Sequence, residues 1–106
     1  MKYYIHIGTG FENAKKNSAV CEFNHEFISA LVEIIENNPN LNIFLSSFDA
    51  TNRYLEINGD FGDLQKVKNS LSNIKVEKNI ESDFQCLFLA CEKALKHNMH
   101  LYLIME

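Results

Sequence analysis

Three features of this 106-residue chain predict an α+β fold, a two-layer or three-layer α/β sandwich with about five strands in a mixed sheet and three helices. Apolar residues recur at the helical period through His25–Asn37, where Phe27, Leu31, Ile34 and Ile35 share one stripe. They alternate at period two in Lys2–Gly8, with Tyr3, Ile5 and Ile7 opposite Lys2, Tyr4 and His6. The helical stretch also returns, after the stop signal Asn37-Asn38-Pro39, straight into the apolar run Asn42–Phe48. Apolar residues make up 46% of the chain, enough at this length for a single core, so residues 1–106 read as one domain.

Taken in order, Lys2–Gly8 is a half-buried strand closed by Gly8-Thr9-Gly10. Phe11–Ser18 reads as a polar loop carrying the adjacent basic pair Lys15-Lys16. Ala19–Phe23 fits either an early helical turn extending the stripe of Phe27, the preferred reading, or a short hairpin arm paired back on the first strand. After the helix His25–Asn37, the runs Asn42–Phe48 and Arg53–Asn58 flank the turn formers Asp49-Ala50-Thr51-Asn52 as a hairpin. Asp60 is placed to cap a second helix, with Asp63 in its first turn where the macrodipole favours negative charge, and that helix ends near Asn73. Ile74, Val76 and Lys78 alternate with Lys75 and Glu77 as a fourth strand towards an edge. Ser82 and Gln85 form a capping box opening a third helix to about His97; Asn98 stops it, and His100–Met105 is the last strand.

The first six elements follow the βαββαβ order of a ferredoxin-like core, and the last two add a C-terminal αβ unit. The third helix carries Phe84, Leu87, Phe88, Leu89, Cys91 and Leu95, apolar over more than one stripe, which predicts enclosure on several sides. It could cover the second sheet face, pack between the other helices or form a subunit interface.

Fourteen acidic against ten basic residues give a formal charge of −4, a field that repels phosphate backbones and anionic lipid and favours a basic partner. No run reaches the ~18 apolar residues of a membrane span, and the first ten residues lack the apolar core and cleavage site of a signal peptide. Cys21, Cys86 and Cys91 are odd in number, and the last two, five apart on one helix, point about 140° away from each other. This argues against a disulfide framework and for a reducing cytoplasm.

No motif assigns a catalytic residue, metal site or cofactor. Gly8-Thr9-Gly10 follows a strand as phosphate loops do, but Asn13 stands where a dinucleotide fingerprint has its third glycine, and no Walker ending follows. His97 and His100 straddle a helix end instead of sharing one face, while His6 and His100 could meet only if the first and last strands were neighbours. Cys86 and Cys91 read as small core residues, and Ser29, Ser46 and Ser47 lack the Gly-x-Ser-x-Gly setting of an activated serine.

Strand parity gives a stronger lead. With Tyr3, Ile5, Ile7, Leu55, Ile57, Leu101, Leu103 and Met105 towards the core, Tyr4, His6, Tyr54, Glu56, Asn58, His100 and Tyr102 share the other face. Tyrosine offers large contact area with a hydrogen-bonding tip and is enriched at protein interfaces. The expected function is therefore a non-enzymatic protein-binding domain in which Tyr4, His6, Tyr54, Glu56 and Tyr102, with an acidic rim of Asp49, Asp60 and Asp63, dock on a basic protein. By analogy of class, with no motif behind it, immunity proteins that neutralise bacterial toxins are small acidic domains of this kind. The alternative is a small-molecule-binding regulatory domain of ferredoxin-like type, acting as a homodimer. An enzyme using Cys21 or a histidine pair comes last.

Overall fold

The computed structural model describes residues 2–41, 48–49, 54–57 and 63–106. Within them the fold is α+β, with strands β1 (Tyr3–Gly8), β2 (Cys21–Phe23), β3 (Phe48–Asp49), β4 (Tyr54–Ile57) and β5 (His100–Met105). The helices are α1 (Phe11–Lys16), α2 (His25–Glu36), α3 (Asp63–Ser72) and α4 (Glu81–Lys96), with 3₁₀ turns at Pro39–Leu41 and Lys78–Ile80.

The sheet runs β2-β1-β5-β4-β3, and every neighbouring pair is antiparallel. A ferredoxin-like core would set the first strand directly beside the third and give residues 74–78 a place in the sheet. Here the sheet is antiparallel among the described residues instead of mixed, β5 lies between β1 and β4, and residues 74–77 are in no strand, so that order is not formed. The long β1–β5 ladder, from Tyr3↔Met105 to Gly8↔His100, is what displaces it. β5 reads His-Leu-Tyr-Leu-Ile-Met, and Leu101 to Ile104 are all buried, as in a strand covered on both faces. It takes the middle of the sheet and separates β1 from β4.

Several local expectations are corrected. Phe11–Lys16 is a helix where a loop is expected. Cys21–Phe23 takes the hairpin alternative, pairing with Tyr3–Ile5 of β1. Residues 74–77 belong to no strand, although their alternation predicts one: Ile74 and Val76 pack on the core from outside the sheet. The Ser82–Gln85 capping box does not form, because α4 begins at Glu81, directly after the turn Lys78–Ile80 and without a side-chain cap. Asn98 does end α4, at φ 55°, as the left-handed residue of a C-terminal cap in which Met99 N–H donates to Ala94 O at 2.8 Å. The predicted strand Asn42–Phe48 lies outside the described residues except at Phe48, as do Arg53 and Asn58.

The main core lies on one face of the sheet. Tyr3, Ile5 and Ile7 of β1, Phe23 of β2 and Leu101 and Leu103 of β5 meet Phe27, Leu31 and Ile35 of α2. Leu64, Val67 and Leu71 of α3 and Phe84, Leu87, Ala90 and Cys91 of α4 complete it. The α4 helix thus shares its layer with the other two long helices, while Leu89 remains exposed. On the opposite face α1 is the one described helix that packs, with Ala14 buried against Tyr102 and Ile104, so the described elements form three layers. A disulfide joins Cys21 of β2 to Cys86 of α4 across 65 residues and overturns the expectation of free thiols; Cys91 is free and buried.

Candidate functional site

The sheet face singled out by parity is assembled as expected in its register. Cross-strand pairs place Glu22, Tyr4, Ile104, Tyr54 and Asp49 in one row across all five strands, and His6, Tyr102 and Glu56 in the next. That face is nevertheless covered at its centre. The Phe11 ring stacks on Tyr54 at 4.2 Å between centroids and lies 5.9 Å from Tyr102, which keeps only 1% of its surface exposed.

The cover is possible because Gly8 has no side chain. A Cβ there would stand 2.5 Å from the Ala14 backbone nitrogen, so α1 can fold back on β1 only over a glycine. Polar bonds then fasten it. Asn13 Oδ1 accepts from Thr9 N–H at 2.9 Å, and Asn17 Nδ2 donates to Ile7 O at 2.8 Å. The His6 ring donates from Nδ1 to the carbonyls of Ala14 and Asn17, at 3.2 and 3.0 Å, which assigns its proton to that nitrogen. Gly8-Thr9-Gly10 is therefore a hinge for a covering helix, and His6 a latch on that helix's end.

Tyr102 is corrected from a docking residue to a buried one. Burial pushes its phenol up to about 12, helped by the neighbouring Glu56 carboxylate, which accepts its hydrogen bond, and by Tyr54. Tyr4, His6, Tyr54 and Glu56 stay half-buried around the rim of α1. Asp63 lies apart from them in the first turn of α3, Asp49 joins the group through its backbone pairing with Tyr54, and Asp60 lies outside the described residues. His6 and His100 do share this face on adjacent strands, one cross-strand row apart. Among the described residues no three His, Cys, Asp or Glu side chains gather into a metal-binding group.

A second concave surface lies on the helical side, between α2 and residues 75–83, with a volume of about 400 Å³. Its apolar lining includes Phe27, Ala30, Ile34, Val76 and Ile80; its carboxylates are Glu26, Glu33, Glu77 and Asp83, and Lys75 is its cation. Sequence reasoning missed it, because residues 74–78 read as a strand. The legible part of the signal was Glu26, Ala30, Glu33 and Asn37, spaced four, three and four along one face of α2. Comparison with protein-family models, with curated proteins and with solved structures finds no match.

Proposed function

We propose that this chain is a non-enzymatic protein-binding domain that works by occluding a basic protein, in the manner of toxin-neutralising immunity proteins. The observation that carries the reading is an acidic surplus left facing outwards. The formal charge is −4, and among the described residues the one carboxylate held in an ion pair is Glu22, 2.9 Å from Lys2. Such a surface accelerates encounter with a cationic partner and makes the association salt-sensitive. The same sign of charge disfavours nucleic acid as the target.

The regulatory-homodimer reading drew on a ferredoxin-like order, and the observed order β2-β1-β5-β4-β3, with β5 between β1 and β4, removes that support. No described helix is long and apolar enough to cross a membrane. The expected cytoplasmic location rested on unpaired cysteines, whereas the Cys21–Cys86 bridge favours an oxidising compartment, because a reducing cytoplasm keeps thiols reduced.

The test is capture from an extract of the source organism on immobilised protein at low salt. One stoichiometric basic protein, released by raising the salt, is expected. An empty resin at low salt would remove the reading.

A further inference from the structure

The tyrosine-bearing sheet face is largely occupied by α1, whereas the groove between α2 and residues 75–83 is not filled by any described element. We propose that this groove receives a short cationic segment of the partner protein, with one apolar side chain entering between Ile34, Val76 and Ile80 and basic side chains reaching the carboxylates around it. This rests on the protein-binding reading above and specifies where and by what chemistry it operates.

Charge and shape both point to that occupant. Four carboxylates, Glu26, Glu33, Glu77 and Asp83, border the groove against the single cation Lys75, and among the described residues none of the four is in an ion pair. Glu26 and Asp83 also sit in the first turns of α2 and α4, where the macrodipole stabilises them. Glu33 lies in the second half of α2, where the macrodipole gives no reason for a carboxylate, and Glu77 precedes the turn Lys78–Ile80 without making a side-chain cap there. A lining that is apolar at Phe27, Ile34, Val76 and Ile80 and bordered by four carboxylates against one cation selects a ligand that is cationic with an apolar side chain.

Spacing narrows the class further. Glu26 and Glu33 are seven residues apart on α2, which is about 10.5 Å along the helix axis. In an extended chain that span corresponds to residues about three apart. The segment that fits therefore has lysine or arginine at such a separation, with a leucine-like residue between.

The opposite occupant, a second copy of this chain, would offer cations at Lys15 and Lys16 of α1 or beside the far end of α4. Lys68, Lys93 and Lys96 line a separate depression there together with Glu92. That surface is itself concave, so although it carries the exposed Leu89 its shape does not enter a groove, and Lys15 and Lys16 lie on a helix whose apolar residues Phe11 and Ala14 are packed on the sheet.

The probe is a fluorescein-labelled peptide with lysines three apart around one leucine, titrated by anisotropy into the full chain at low salt. Binding is expected to weaken at least tenfold in Glu33→Lys and in Glu77→Lys. It should change less than twofold in Glu12→Lys, an exposed carboxylate of α1 on the other side of the sheet. Replacing the peptide's leucine by serine should weaken binding at least fivefold, which separates the groove from general acidity.

Circular dichroism of each variant confirms that it is folded. Equal losses in Glu12→Lys and Glu33→Lys, indifference to the leucine, or no binding at low salt would each overturn the groove, while the capture experiment decides the broader reading independently. Sedimentation of the chain alone showing a dimer that Glu33→Lys dissolves would overturn the proposal in favour of a second copy.

Discussion

At Gly8 the absence of a single carbon decides what lies over half the sheet. Gly8→Ala would put a Cβ 2.5 Å from the Ala14 nitrogen and 2.6 Å from its Cα, a clash with backbone that no side-chain rotation relieves. Overpacking of this kind costs roughly 1–3 kcal/mol, and the expected outcome is a lower urea midpoint together with a blue-shifted near-ultraviolet tyrosine absorption and a weaker near-ultraviolet dichroism as α1 lifts from Tyr54 and Tyr102.

Tyr102 gives a second residue-scale test through its proton. Its phenol is held protonated up to about 12 in the folded chain, against 10.0 ordinarily. The native state therefore binds that proton more tightly than the unfolded chain, and the resulting stability is present below pH 10 and lost as pH rises towards 12. Between these values the stability of Tyr102→Phe should fall less steeply than that of the parent, as measured by urea midpoints at stepped pH. In spectrophotometric titration, the component missing from the variant should be one that ionises near 12.

Among the elements, α1 illustrates what periodicity can miss. Its apolar contribution is Phe11 and Ala14, two residues in a six-residue helix, too few for a stripe to be read above a polar background. Its stability comes from packing on Tyr102, Ile104 and Tyr54. By contrast α2 declares itself, with Phe27, Leu31 and Ile35 buried and Asn24 Oδ1 accepting from Phe27 N–H at 2.9 Å as its cap.

The link between β2 and α4 belongs to the same scale. β2 is a three-residue strand at the edge of the sheet, and the bridge ties it to α4, the longest helix of the core layer. Closing a loop of 65 residues removes unfolded-state entropy worth about 4 kcal/mol in the chain-entropy account. The paired change Cys21→Ala with Cys86→Ala is expected to lower stability by roughly 2–4 kcal/mol. Reducing the parent chain should reproduce that loss, and treating the double variant with the same reductant should add nothing. A fully reduced parent with an unshifted midpoint would show that the bridge has no such role.

For the molecule as a whole, β1 and β5 form the spine, paired over six positions and flanked on both sides by other strands. Helices cover β5 from both faces. In hydrogen exchange the amides of β1 and β5 that face one another should be the last to exchange, through global unfolding, while those of β3 and of α1 exchange through local opening. Equal protection across the sheet would contradict this hierarchy.

The extent to which the chain could be read in advance divides along these lines. Strand parity correctly sent Tyr3, Ile5, Ile7, Ile57, Leu101 and Leu103 to the core and grouped Tyr4, His6, Tyr54, Glu56 and Tyr102 on the other face. It could not say that Phe11 would lie on Tyr54, because parity specifies a direction and not what occupies it. Nor could it set residues 74–77 aside from the sheet, since an alternating segment beside a packed helix layer buries Ile74 and Val76 without any strand partner.

By itself the order of residues determined the local matters: that the three longer stretches α2, α3 and α4 are helical, which side of β1 is oily, and where α4 stops. These depend on neighbours within a few positions, so the side chains themselves carry the information. Only the tertiary structure decided that β5 would lie between β1 and β4, that Cys21 would meet Cys86, and that α1 would cover the tyrosines. Those outcomes are competitions between distant segments whose closure entropies differ little with length, and they are settled by which arrangement buries the most apolar surface at once.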